Sequence, residues 1–127
     1  MLVIGLDGRE YKFNPKSKRR GNASKLHIKC RKLLKKIMPM HKVLEEVSIP
    51  GCLLYLDFYI PELLMAIEVH GKQHFVYNNH FYKSKSQFIK AKNRDLDKKH
   101  WCNINNIDLV ELKYNEDLNE WENKIRN

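Results

Sequence analysis

Three side chains near the middle of the chain, Asp57, Glu68 and His70, have the types and spacing that metal-assisted chemistry would use. They lie in residues 53–75, LLYLDFYIPELLMAIEVHGKQHF, which read as two apolar runs joined by a short Pro-Glu turn. Strand alternation has period two, so Glu68 and His70 share one face while Ile67 and Val69 take the other. If the two runs pair as a hairpin, Asp57 reaches the face and the end of the sheet that Glu68 occupies. Two carboxylates converging in an apolar sheet repel each other unless a proton or a cation lies between them. A divalent metal is the simplest resolution. The plainer alternative has Asp57 facing solvent near a turn and Glu68 paired with a lysine.

The flanking sequence supplies elements to position that pair. Residues 1–13 read as a hairpin about Asp7-Gly8. Residues 14–22 follow as an exposed basic loop carrying Lys16, Lys18, Arg19 and Arg20. Ser24 is placed to cap a helix that runs to about Met38 and stops at Pro39. Leu26, Cys30, Leu33 and Ile37 form its apolar stripe, and Lys25, Lys29, Lys32 and Lys36 a basic stripe beside it. Three strands are expected at 42–49, 53–60 and 63–70. A helix over about 84–103 follows, with Phe88, Ala91 and Leu96 as candidates for its buried side. A short strand at 107–112 and a last helix, capped by Asn115 and running through Ile125, complete the series.

Charge narrows the class of partner. The 127 residues carry a formal net charge of +9, which favours a polyanion. The excess is local: residues 11–44 hold twelve Lys or Arg and no Asp or Glu. Such concentration is the footprint of phosphate-backbone binding, although a solvated helix face has the same composition. Hydrophobic residues at 43% point to a folded domain rather than a disordered chain. The length fits one domain with one core. Cys30, Cys52 and Cys102 are odd in number and scattered, so they fit reduced thiols and a cytoplasmic setting better than a disulfide framework. No apolar run approaches the ~20 residues of a membrane span, and no membrane partner is expected.

After the N-terminal hairpin the expected order is α-β-β-β-α-β with a C-terminal helix. With Asp57 in LDFYIP, residues 67–75 as IEVHGKQHF and residues 94–112 as RDLDKKHWCNINNIDLVEL, the chain resembles the PD-(D/E)XK nuclease superfamily. Within it the chain looks most like very-short-patch-repair-like endonucleases and small phage or mobile-element (homing-type) nucleases. The likeness covers about residues 24–115, leaving 1–23 as hairpin and basic loop and 116–127 as the C-terminal helix of one nuclease domain. It implies an α/β (α+β) restriction-endonuclease-like fold and a Mg²⁺- or Mn²⁺-dependent DNA endonuclease, cytoplasmic in a bacterial or phage-infected cell. It further implies a metal held by Asp57, Glu68 and the Val69 carbonyl. His70 stands where the superfamily usually has lysine, as in the very-short-patch-repair type, and is suited to general-base work. Gln73 and His74 are candidates to assist it, and Asp95 to orient it, with an ordinary helix pairing of Asp95 to Lys98 or Lys99 as the alternative. Lys16, Lys18, Arg19, Arg20, Lys25, Lys29, Lys32 and Lys36 would grip the DNA backbone. The glutamate that related nucleases carry on the first helix is missing; Ser24, Lys25 or His27 occupies that region.

Other readings remain open on the sequence. A nucleic-acid-binding module without catalysis would use the basic half with Tyr55, Tyr59, Tyr77, Phe81 and Tyr82 as stacking platforms. A branched-DNA or Holliday-junction resolvase could share the same fold. A structural zinc site from His70 and His74 with Cys52 or Cys102 lacks a second ligand pair in sequence. So short a chain has little surface for reading a long site, which leaves single-strand nicking and a cutting homodimer as alternatives.

Overall fold

In the computed structural model the chain is mixed α and β, with three helices and two sheets. The structure describes residues 1–18, 23–75, 77–78 and 82–127. The expected placement of Arg19, Arg20 and Phe81 therefore lies outside the described residues, as does the side chain of His74.

The N-terminal hairpin pairs β1 (Leu2–Ile4) with β2 (Glu10–Lys12) in antiparallel register, Val3 opposite Tyr11. Its loop turns at Gly8, whose φ of 81° favours glycine. Helix α1 (Lys25–Ile37) starts at Ser24, whose hydroxyl accepts from the His27 N–H. The four-stranded sheet runs in order β3 (Leu44–Ser48), β4 (Tyr55–Ile60), β5 (Met65–His70), β6 (Asp108–Lys113). β3, β4 and β5 pair antiparallel, while β6 lies parallel to β5 after the crossover through α2 (Lys85–Ile104). Helix α3 (Leu118–Arg126) closes the chain, capped by Asp117 rather than by Asn115. The order of elements expected from the sequence is the order observed. The Pro-Glu connection is a single 3₁₀ turn, Pro61–Leu63, ended by Leu64 at a φ of 48°.

Each face of the sheet is covered. Cys30, Leu33 and Leu34 of α1 and Trp121 and Ile125 of α3 pack on Phe58, Ile60, Ile67 and Leu112. On the other face, Trp101 and Cys102 of α2 and Phe13 after the hairpin pack on Leu44, Tyr59 and Ala66. Leu26 and Ile37, expected in the α1 stripe, are only half-buried, and His27 and Leu34 sit deeper. Leu96, expected on the buried side of α2, is exposed. The sheet-facing series of α2 is instead Ala91, Asp95, Lys98 and Cys102, whose polar members conceal the helical period.

Alternation breaks at one place. Leu44 and Val47 belong to the same core although three positions apart, and so do Leu56 and Tyr59. Between them Glu46 takes a φ of 54°, and the pair Glu46–Asp57 is missing from a ladder that otherwise holds register. β4 changes face at the same level, Leu56 packing in one core and Phe58 in the other, so Asp57 stands where the sheet changes face.

Candidate metal and phosphate site

Asp57 and Glu68 face each other across β4 and β5, one step beyond the last paired residues, Phe58 and Ile67. Their carboxylates replace the backbone ladder there. The Asp57 N–H donates to Glu68 Oε2 at 2.6 Å, and the Val69 N–H donates to Asp57 Oδ2 at 2.8 Å. Glu68 is buried, 3% exposed, and Lys98 reaches it from α2 with Nζ 2.7 Å from Oε1. Burial and the charge of Asp57 push the Glu68 carboxyl up to about 7, against the pull of Lys98. The lysine pairing weighed from the sequence is therefore real, and it coexists with the carboxylate pair.

Glu68 and His70 share the α2 face, as strand alternation requires. His70 Nε2 lies 3.4 Å from Glu111 Oε1 on β6. Burial pulls the imidazole down, but Glu111 beside it, with Asp95 and Glu68 nearby, outweighs burial and raises it. Asp95 and His70 both line a cavity of about 160 Å³. Lys92, Lys99 and Lys113 line the same cavity and give it a cationic rim. Gly71 follows, and a Cβ there would fall inside the Gln73 amide, so Gln73 folds back over the glycine.

On the α1 side, His27, Glu46 and Asp57 bring one ligand atom each to within 4.8 Å of one another. Arg31 grips Glu45 with Nε and Nη2 at 2.8–3.1 Å, and Glu45 Oε1 meets His27 Nε2 at 2.8 Å. The opening over His27 and Glu46 is rimmed by Ser17, Lys18 and Arg31.

The basic residues do not all converge on this opening. Lys16, Lys25, Lys32 and Lys36 line the outer surface of the loop and helix, and Lys18 stacks over Tyr55 at 4.9 Å. Lys29, Lys32 and Lys36 line a groove against α3, where Lys29 lies 4.5 Å over the Trp121 ring. Tyr59 is buried at 1% exposure and cannot stack on a base. Cys52 is half-buried and Cys102 buried, and neither joins His70 in a metal-sized cluster among the described residues.

Sequence reasoning missed Lys98 as the partner of Glu68, Glu111 as the partner of His70, and Glu46 altogether. Lys98 carried a signal, since it follows Ala91 by seven positions on one helix face. Glu111 carried none, because its place beside His70 depends on the parallel register of β6.

No family model matches the chain, and no solved structure matches it. The chain is 39% identical over 61 residues to uncharacterized protein 307L of Invertebrate iridescent virus 6, covering 48% of this chain and 31% of that protein. It is 32% identical over 66 residues to uncharacterized protein 033L of Invertebrate iridescent virus 3, covering 52% of this chain and 34% of that protein. The chain thus spans about a third of the length of these relatives. No described helix is long and apolar enough to cross a membrane.

Proposed function

We propose that this chain is a metal-dependent DNA endonuclease of the PD-(D/E)XK type, nearest in design to very-short-patch-repair-like and homing enzymes. The observation that carries the reading is the Asp57–Glu68 pair, locked by each strand's amide to the other, with Glu68 buried and Asp57 half-buried where the sheet changes face. A carboxyl held near neutrality beside a second acid is costly in a purely structural sheet and typical of a working site. The element order, mixed sheet and two-sided helix cover agree with a restriction-endonuclease-like core.

The donor set suits a hard cation in type: two carboxylates and the Val69 carbonyl would hold Mg²⁺ or Mn²⁺. When bound, the ion supplies Lewis-acid polarisation of a phosphate and a more acidic water. The chain's own groups supply the rest. Lys98 favours the ionised form of Glu68 against burial and the charge of Asp57. His70, with Glu111 3.4 Å from its Nε2, would accept a proton from an attacking water. Lys92, Lys99 and Lys113 can receive phosphate charge at the cavity beside it. Exposed lysines of α1 and of the preceding loop supply sequence-independent grip. Nicking by one copy and double-strand cutting by a homodimer are the two modes this reading allows.

One observation favours a second reading, a nucleic-acid-binding module without catalysis. Lys98 and the Asp57 amide already compensate Glu68 without a metal. Incubation of supercoiled plasmid and branched DNA with Mg²⁺, Mn²⁺ or EDTA, beside Glu68→Ala, separates the two. Metal-dependent cleavage lost in the variant supports the nuclease. Binding of every substrate with no cleavage under any metal favours the module.

A further inference from the structure

The Glu45 contact of His27 assigns one ring nitrogen as the donor and leaves the other for a ligand. Arg31 forks onto Glu45 with Nε and Nη2 at 2.8–3.1 Å, a guanidinium–carboxylate pair in which Glu45 is the acceptor. An ionised carboxylate only accepts, so the ring nitrogen facing Glu45 at 2.8 Å, Nε2, carries the hydrogen. In the neutral ring Nδ1 is then a lone pair. It points toward Glu46 Oε1 at 4.0 Å, beyond hydrogen-bond reach, from a residue only 7% exposed. A lone pair and two carboxylates, Glu46 and Asp57, thus surround one small space from three elements, α1, β3 and β4. An ion with bonds of roughly 2.1 Å spans two opposite ligands at about 4.2 Å, and His27 Nδ1 and Glu46 Oε1 stand 4.0 Å apart. Donation of the remote ring N–H to a carboxylate, itself held by an arginine, is how metal-binding histidines are oriented.

We propose that His27, Glu46 and Asp57 form a site for a divalent transition metal, Mn²⁺ first, with Asp57 shared with the Glu68 pair. The set departs from the oxygen-only Asp57–Glu68–Val69 arrangement by including an imidazole. Mg²⁺ favours oxygen and octahedral water, whereas one nitrogen and two carboxylates suit Mn²⁺ and its later neighbours. The site deepens the nuclease reading and rests on it only for the use made of the ion. Binding is therefore read apart from cleavage.

The test is titration of chelator-treated full-length protein with Mn²⁺ and, separately, Mg²⁺. Calorimetry gives affinity, and pulsed electron paramagnetic resonance of the bound Mn²⁺ detects directly coordinated imidazole nitrogen. The expected result is nitrogen coupling in the wild type, kept in His70→Gln and lost in His27→Gln. Mn²⁺ affinity should fall at least about tenfold in Glu46→Gln, and Mg²⁺ should bind more weakly than Mn²⁺. Wild-type protein that binds no Mn²⁺, or binds it without nitrogen coupling, overturns the proposal whatever the variants do. Mn²⁺ binding that is lost in Glu68→Gln, unchanged in Glu46→Gln and free of nitrogen coupling also overturns it, yet leaves the nuclease reading intact.

Discussion

Asp57 and Glu68 each hydrogen-bond the main chain of the other's strand, Glu68 Oε2 taking the Asp57 N–H and Asp57 Oδ2 taking the Val69 N–H. Side chains therefore do there what backbone carbonyls do elsewhere in the sheet. The exchange holds two acids in one orientation before any ligand arrives, which is the preorganisation that a metal or phosphate site needs. It also concentrates the cost of the site at a single ladder position.

Lys98 offsets that cost. Lys98→Ala leaves the buried Glu68 without its ammonium, and breaking such a pair costs about 3 kcal/mol or more. Glu68 already has a raised carboxyl, so its proton-bound form is favoured in the fold at low pH. The loss should be larger at pH 8 than at pH 5, measured by denaturant midpoints at both. Equal losses would mean that Lys98 acts through packing rather than charge.

The strand order and the alternation of Glu68 with His70 were legible because both follow from period-two patterning and turn residues. Ser24 likewise announced its helix, accepting an amide at the first turn. The face of α2 was hidden because Asp95 and Lys98 occupy sheet-facing positions that an apolar count skips. Glu46 was hidden for a different reason. Its left-handed backbone breaks the alternation that would have placed it, and no glycine or asparagine stands there to signal the break. His27 was noticed only as occupying the place of an expected glutamate. Its lock through Glu45 and Arg31 is tertiary.

The core prediction concerns Ile67, fully buried between α1 and α3 on the central strand β5. Ile67→Ala should destabilise the fold by about 2–5 kcal/mol through lost transfer energy and a residual cavity. Chemical unfolding gives the number directly. A loss well under 1 kcal/mol would place Ile67 outside the packed core.

Acid sensitivity should appear at Glu116. Burial raises its carboxyl, but the Lys124 ammonium at 2.7 Å and the Lys113 amide outweigh burial and hold it below the ordinary value of 4.5. Its contribution is present above that value and is lost as pH falls through the lower folded one. Glu116→Gln should lower the thermal midpoint at pH 7, with the gap to wild type closing in acid. A gap that widens in acid reverses the sign and refutes the assignment.

Grip on DNA should depend on the α1 lysines through salt. Removing Lys29, Lys32 and Lys36 together should flatten the slope of log affinity against log salt by roughly 0.9 for each phosphate no longer neutralised. Fluorescence anisotropy over a salt series reads it. An unchanged slope would assign the groove beside α3 to a role other than DNA binding, and the grip to Lys16, Lys18 and Lys25.

The central claim turns on Asp57, which belongs to both carboxylate sets. The direct measurement is the single-turnover cleavage rate of supercoiled DNA at saturating protein with Mn²⁺, wild type against Asp57→Asn. DNA affinity is measured alongside. The account predicts metal-dependent cleavage by the wild type, with at least a roughly hundredfold loss in the variant and DNA affinity kept. Cleavage that persists in Asp57→Asn, or wild-type protein that binds DNA and never cuts it with either metal, would contradict it.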